Sequence, residues 1–368
     1  MICLLVYFRI PFSAAPDTFI KILEMKSKHA YVIGAAMIIG SATLTIGCTK
    51  STDSDDDLIG NWKRIDDFEG LARSEAVSFT IGEYGYVSTG VASTDRFRDI
   101  WQYNTGLRYW TQKADLPGAA RSSAVAFAIG EKGYVGTGYD GSANLKDLWE
   151  FDPTANQWYQ KADFPGSARY DAIGFAVNGK GYIGCGYDGN YLKDFYEFTP
   201  GVTGADAGSW AQKASVGGSK RSAAVTFVYN NAAYVMGGNN NGEVQSDLWV
   251  YDQAANTWAE KRKIYNYSDE TYDDDYGTIP RQNGVAFNIG SYIYISGGEY
   301  SSITPTTWRY NPADDSWLEK TAFEGTSRTG AVALSLSGRG FVLTGRSGSL
   351  VMDNAYELLP DDEQADND

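Results

Sequence analysis

The stretch RSSAVAFAIGEKGYVGTGYDGSANLKDLWEFDPTANQW, residues 121–158, contains the pattern that decides the fold. A small apolar segment follows Arg121, and a glycine-containing segment ends at Thr137-Gly138. Asp147-Leu148-Trp149 then opens a segment of alternating apolar and polar residues, and Trp158 ends the unit. Alternation of this kind is typical of half-buried strands. We therefore predict four short strands in this unit.

The unit recurs along the chain. Its first residue is an arginine that reappears at spacings of 48, 48, 52, 60 and 47 residues. These arginines are Arg73, Arg121, Arg169, Arg221, Arg281 and Arg328. All ten tryptophans, including Trp62, fall on two positions of the repeat, one in the third strand and one in the fourth. A period near 48 residues with four strands per unit predicts an all-β, six-bladed β-propeller.

The two ends of the repeat region complete one another. The last unit stops after residues 356–358 and contains no tryptophan strand. Residues 61–65, Asn-Trp-Lys-Arg-Ile, match that missing strand and stand before the first complete unit. We predict that this N-terminal strand completes the last blade and closes the ring. The propeller then spans residues 58–360, and residues 361–368 form an acidic tail.

The repeat resembles that of the kelch family, whose unit carries an arginine, a glycine pair, an aromatic strand and a tryptophan strand. The resemblance covers roughly residues 60–360. It implies a kelch-type propeller. In that family, ligands commonly bind on the face where the first strands begin and where the loops between second and third strands lie.

We assign candidate ligand-binding residues to that face. They are the six repeat arginines together with Tyr139, Tyr187, Glu299, Tyr300 and Arg346, which follow the glycine pairs. Converging guanidinium groups would suit a carboxylate or phosphate, although each arginine could instead pair with a third-strand Asp or with backbone of a neighbouring blade. Tyrosines beside Asp and Asn are typical of a sugar site, but Asp-Gly and Asn-Gly also form simple turns.

The longest loop covers residues 263–280 and is rich in tyrosine and acidic residues. The acidic residues between 269 and 275 could bind Ca²⁺ through oxygen ligands. The loop could also contact a protein or act as a lid, or it could be a plain surface insertion. We assign no metal and no cofactor.

Residues 25–47 read as a lipoprotein signal peptide, because an uncharged apolar run follows basic residues. The run ends in Leu44-Thr45-Ile46-Gly47-Cys48, which resembles a bacterial lipobox and implies lipidation of Cys48. The alternative is an uncleaved membrane anchor. Residues 1–24 fit an upstream, misassigned start. Residues 48–57 are expected to form an acidic linker. They also resemble the export signal of surface lipoproteins in some Gram-negative bacteria, which is the other interpretation.

These features predict a bacterial envelope protein, lipid-anchored in the outer membrane and facing either the periplasm or the outside. The net charge of −15 argues against a nucleic-acid partner. The single histidine, His29, lies in the predicted signal peptide, which removes histidine-based catalysis and galactose-oxidase-type copper chemistry.

We expect a monomeric, non-enzymatic binding module whose partner is a small glycan or an envelope protein. The alternative is an enzyme of the N-acetylneuraminate epimerase type, a sialic-acid mutarotase. For that chemistry the resemblance implies an acid–base carboxylate and an arginine, and Glu75, Asp171 and Glu299 are conceivable carboxylates.

Overall fold

The computed structural model describes residues 58–264 and 276–365. Its regular structure is β-strand, apart from one helical turn at residues 276–278. The long strands form six four-stranded antiparallel sheets, which are the blades of a propeller. The predicted all-β, six-bladed propeller is therefore confirmed.

Each blade runs from an inner first strand to an outer fourth strand. The N-terminal strand is β1 (Asn61–Arg64). Blade one contains β2 (Val77–Ile81), β3 (Tyr84–Ser88), β6 (Ile100–Asn104) and β7 (Tyr109–Gln112). Blade two contains β8 (Val125–Ile129), β9 (Lys132–Gly136), β10 (Leu148–Asp152) and β11 (Gln157–Gln160). Blade three contains β12 (Ile173–Val177), β13 (Lys180–Gly184), β14 (Phe195–Thr199) and β15 (Ser209–Lys213).

The second half follows the same order. Blade four contains β16 (Val225–Tyr229), β17 (Ala232–Met236), β20 (Leu248–Asp252) and β21 (Thr257–Glu260). Blade five contains β22 (Val285–Ile289), β23 (Tyr292–Ser296), β24 (Thr307–Asn311) and β25 (Ser316–Lys320). Blade six contains β26 (Val332–Leu336), β27 (Arg339–Leu343), β30 (Ala355–Leu359) and β1. Short hairpins pair β4 (Val91–Ala92) with β5 (Asp95–Arg96), β18 (Asn239–Asn240) with β19 (Glu243–Val244), and β28 (Arg346–Ser347) with β29 (Leu350–Val351).

The N-terminal strand closes the ring. Strand β1 pairs antiparallel with β30, and Trp62 lies opposite Leu358. The Trp62 side chain is buried and packs edge-on against Phe323, with ring centroids 4.8 Å apart. Its indole Nε1 donates to the Thr321 carbonyl at 3.3 Å, just beyond the end of β25. Closure by residues 61–65 is therefore confirmed, and Trp62 also ties blade six to blade five.

Neighbouring blades pack through large side chains that need glycine opposite them. Phe79 of β2 is buried and stacks on Tyr86 with ring centroids 5.0 Å apart. A Cβ placed on Gly133 of β9 would lie only 2.2 Å from the Phe79 ring. No larger residue fits at position 133 without moving this contact. Three further glycines at the same strand position approach the preceding blade as closely, since a Cβ there would lie 2.2 to 2.6 Å from a side chain of that blade: Gly85, Gly181 and Gly340.

The first strands surround an axial channel with a volume of about 330 Å³. The residue three places after each repeat arginine is small, since six strands converge here. These residues are Ala76, Ala124, Ala172, Ala224, Gly284 and Ala331. The channel mouth lies at the end where these first strands begin.

The predicted signal peptide, Cys48 and the acidic linker fall in residues 1–57, outside the described residues. Residues 265–275 of the long loop also lie outside them. Within the described part of the chain, no helix is long and apolar enough to cross a membrane.

Candidate ligand site on the channel face

The six repeat arginines lie inside the blades, and each side chain is fully buried. In every blade, the arginine Nη1 donates to the carbonyl of the residue sixteen positions later, which is the first member of the glycine pair. In blade two this bond joins Arg121 to Thr137 at 3.0 Å. The arginine therefore fastens the start of the first strand to the end of the second.

In blades one to four the guanidinium also binds a third-strand carboxylate. Arg121 Nη1 and Nη2 donate to the two carboxylate oxygens of Asp147 at 2.6 and 2.7 Å. The same Asp147 accepts the indole N–H of Trp149 at 2.7 Å, which explains the acidic–x–aromatic signal. Burial alone would raise the pKa of Asp147, but the hydrogen bonds and charge of Arg121 outweigh it and hold that pKa below its ordinary value.

In blades five and six, Thr306 and Asn354 stand where the other blades have Asp. Arg281 instead donates to the backbone and hydroxyl oxygens of Thr306 at 3.1 and 3.0 Å. Burial without a carboxylate lowers the pKa of Arg281 to about 9 and that of Arg328 to about 10. Within the described part of the chain, Nη2 of Arg328 has no hydrogen-bond partner.

The sequence predicts a ring of guanidinium groups at the channel mouth. The structure places these groups inside the blades instead. In blades one to four the arginines follow the alternative of the sequence analysis and pair with a third-strand Asp. Arg281 and Arg328 bind backbone as well, but in their own blades rather than in a neighbouring one. A ligand at the mouth would not reach fully buried guanidinium groups. Their role in ligand binding stays a prediction that the geometry does not support.

The mouth is instead formed by the residues two places after each arginine. These residues are Glu75, Ser123, Asp171, Ala223, Asn283 and Gly330. All six adopt the left-handed conformation, with φ between 50° and 61°. The backbone N–H of each donates to the carbonyl of the equivalent residue in the preceding blade, at 2.7 to 3.2 Å. The hydrogen bond from Glu75 to Gly330 completes a closed ring of six, which fixes the positions of the side chains around the mouth.

Two carboxylates lie close together on this ring. The Ser123 hydroxyl donates to Glu75 Oε2 at 3.0 Å, and Arg346 Nη2 lies 3.7 Å from Glu75 Oε1. Burial and then the charge of Glu75 raise the pKa of Asp171 to about 7, although a Ser123 hydrogen bond and the charge of Arg346 oppose the shift. Asp171 keeps part of its surface open to the mouth. It can therefore gain or lose a proton near neutral pH.

A second cavity of about 450 Å³ adjoins the mouth. Its aromatic and polar lining includes Tyr170, Asp171, Tyr187, Tyr191, Asn239 and Asn283, and we call it the tyrosine groove. The Tyr170 and Tyr187 rings lie 5.7 Å apart, and the Tyr187 and Tyr191 rings lie 5.0 Å apart, each pair at 64°. Asp171 and Asn283 line both the groove and the mouth. One ligand could thus touch the rings and the carboxylate together.

The other predicted residues lie around this region. Glu299 Oε1 accepts from Gln282 Nε2 at 3.2 Å and from Asn283 Nδ2 at 3.5 Å. The Tyr139 ring lies under the guanidinium of Arg96, 4.8 Å from its centroid, and Tyr300 is 50% exposed. The structure thus places Tyr187 in the groove and Arg346 at the mouth.

The sequence analysis did not identify Tyr170 and Tyr191 as groove residues. A signal for Tyr170 exists in the repeat, because the residue after the arginine is Ser, Thr or Gln in the other five units. A large aromatic side chain at that position is the exception. Positions that depart from the repeat were therefore better markers of the site than the repeated arginine.

No group of three or more His, Cys, Asp or Glu side chains that could hold a metal occurs within residues 58–264 and 276–365. The acidic residues considered for Ca²⁺ fall between 265 and 275, outside the described residues, so that role stays a prediction. The Cys185 thiol is buried, and burial raises its pKa to about 12, which makes it a poor nucleophile.

Comparison with known proteins agrees with the fold. A family model for the kelch motif matches residues 220–262, which contain all four strands of blade four. A solved structure described as "Structure of YjhT" is similar with a TM-score of 0.64, at 15% sequence identity, over 79% of this chain and 95% of that chain. No curated protein matches the sequence. At that identity the likeness concerns the fold alone. The chain is a six-bladed β-propeller, and one of its repeats, residues 220–262, matches the kelch motif.

Proposed function

We propose that this protein is a binding propeller that takes a small glycan in the tyrosine groove. The observation that carries the proposal is the groove itself, where three tyrosine rings adjoin Asp171 and Asn283. Sugars bind where aromatic rings stack on their apolar faces and amide or carboxyl groups accept and donate hydrogen bonds to their hydroxyls. A kelch propeller also suits protein interaction, and an envelope protein is the other partner to be tested.

Isothermal titration with neutral mono- and oligosaccharides tests the glycan proposal. We expect binding by the wild-type protein and a loss of about fivefold or more in Tyr187→Ala, since one stacked ring contributes about 1 kcal/mol. Tyr84→Ala is the matched control, because Tyr84 is 38% exposed at the start of β3 and does not line the groove. If no sugar binds, the glycan proposal fails.

A mutarotase of the N-acetylneuraminate epimerase type is a second candidate. The observation in its favour is Asp171, whose pKa near 7 suits proton transfer, with Glu75 and Arg346 close by. The test is the rate of anomer exchange of sialic acid, measured by NMR. An enzyme would accelerate exchange, and Asp171→Asn would abolish the acceleration. A rate equal to the buffer rate would exclude this candidate.

We also propose attachment to the outer membrane through Cys48, on the basis of the lipobox-like sequence. Metabolic labelling with a fatty acid should mark the wild-type protein and leave Cys48→Ser unlabelled. Label on both proteins would overturn the assignment of Cys48.

A further inference from the structure

We propose that the tyrosine groove recognises an ammonium group, primary or methylated, through the rings of Tyr170, Tyr187 and Tyr191 and the carboxylate of Asp171. The inference rests on the proposed function, because it names the class of ligand that this same groove selects. An amino sugar is the form of glycan that fits.

The arrangement of the rings supports a cation. Successive rings meet at 64°, with centroids 5.7 and 5.0 Å apart, and all three line one cavity. A group seated among rings at such angles meets the face of at least one of them. The face of an aromatic ring carries negative charge density, so it attracts ammonium groups. A neutral sugar would use the same faces for stacking but would gain nothing from their charge.

The charges around the groove point the same way. Among the described residues that line it, Asp171 is the one carboxylate and none is Lys or Arg. Arg169, the residue before Tyr170, donates hydrogen bonds from Nη1 and Nη2 to the carboxylate of Asp194, at 2.5 and 2.8 Å. Arg346 lies against Glu75, with a nitrogen–oxygen distance of 3.7 Å. Above the pKa of Asp171 the groove therefore presents one negative charge and, among its described lining residues, no cation, which favours a positively charged ligand over an acidic sugar.

The protonation of Asp171 should make binding of a cation depend on pH. Glu75 and burial hold the proton on Asp171 near neutral pH, while Ser123 and Arg346 favour the ionised form. Burial and then the charge of Asp171 raise the pKa of Tyr170, so these two side chains interact electrostatically. A cation of fixed charge, such as choline, binds the ionised carboxylate, so its affinity should rise by about tenfold between pH 6 and pH 8. The rise for glucosamine should be smaller, because its own amine loses its proton towards pH 8. A neutral sugar should show no such rise.

The test is titration calorimetry at pH 6 and pH 8 with glucosamine, glucose, N-acetylglucosamine, sialic acid and choline. Glucosamine and N-acetylglucosamine differ in the charge on nitrogen, and choline presents a methylated ammonium without a sugar. We expect glucosamine to bind more tightly than the neutral sugars at pH 8. Choline reports whether the ammonium alone suffices.

Matched variants separate the contributions. Asp171→Asn should weaken glucosamine by about tenfold, since a hydrogen bond to a charged group is lost, and should remove the rise in choline affinity between pH 6 and pH 8. Asp163→Asn removes an exposed carboxylate that does not line the groove and should change nothing. Tyr191→Leu should weaken binding by about fivefold, and Tyr191→Phe, which keeps the ring face, should retain it. Thermal melting confirms that each variant is folded.

Each outcome decides between the two proposals. Equal binding of glucosamine and glucose would overturn the ammonium inference and leave the glycan proposal standing. Binding of choline alone would support the ammonium inference and overturn the glycan proposal. Tighter binding of sialic acid would overturn the inference in favour of the mutarotase. No binding of any probe would overturn both.

Discussion

Arg328 and Asn354 occupy in blade six the positions that Arg121 and Asp147 occupy in blade two, yet their side chains do not pair. Arg328 Nη1 donates to the backbone carbonyl of Asn354 at 3.3 Å. Within the described part of the chain, Arg328 Nη2 and Asn354 Oδ1 both lack a hydrogen-bond partner. The last blade therefore keeps the buried cation of the repeat and lacks its counter-charge.

Asn354→Asp should complete this pair and stabilise the protein. We expect the free energy of unfolding to rise by about 1–3 kcal/mol at pH 7, because a lone buried charge is costly and gains its partner. Urea unfolding measures the change. Gln160→Glu, which adds the same charge at an exposed position, is the control and should stay within about 0.5 kcal/mol of wild type. A destabilised Asn354→Asp protein would show that the site cannot accept the carboxylate.

Asp147→Ala should produce the opposite effect. It leaves Arg121 buried without a carboxylate, which costs about 3–5 kcal/mol. The pKa of Asp147 is held low in the folded state, so its contribution is present above the unfolded pKa of about 4 and is lost as the pH falls through the folded pKa. Urea unfolding should therefore separate variant from wild type at pH 7 and less so at pH 3. An equal difference at both pH values would contradict the ion-pair account.

Closure of the ring depends on the N-terminal strand. Trp62→Ala should cost about 3–5 kcal/mol, because its side chain is buried against Phe323. Lys63→Ala on the same strand is exposed and should change stability by less than about 0.5 kcal/mol. Deleting residues 61–65 should cost several kcal/mol and leave β30 as an open edge. Similar stabilities for the two point variants would argue against closure by β1.

Asp171→Asn should alter how stability depends on pH. The folded pKa of Asp171, about 7, lies above the unfolded value of about 4, so the folded state holds a proton that the unfolded state releases. Wild-type stability should therefore fall as the pH rises from about 4 to about 7 and then level off. The stability of the variant should not show this fall, so the stability of the variant relative to wild type should increase between about pH 4 and about pH 7. Melting temperatures of the two proteins from pH 4 to pH 8 test this. If the pKa of Asp171 were ordinary, the melting temperatures of variant and wild type would change in parallel with pH.

The fold could be predicted from sequence because one physical problem is solved six times. Each blade needs small residues at the axis and an arginine that fastens two strands, and four of the six place a glycine against the neighbouring blade, as Arg121 and Gly133 show. The terminal match of Trp62 with the missing strand of blade six identified closure. Repetition made each of these signals visible several times in one chain.

The site was harder to predict, since repetition conceals what is particular to one blade. The repeated arginines are compatible in sequence with either ligand binding or a structural role, and in the fold they are buried and fasten strands together. Tyr170 and Asp171 occur at their positions in blade three alone, and their neighbours Tyr187 and Tyr191 come from the next loop of that blade. The fold, rather than the sequence order, brings Asn283 of blade five to the same cavity.

The most direct test of the central claim is a crystal structure of the protein bound to the sugar with the highest affinity in the titrations. Ligand density is expected in the tyrosine groove, in contact with Tyr187 and within hydrogen-bond distance of Asp171. Density at a repeat arginine, or on the face of the β2–β3 turn, would contradict the account.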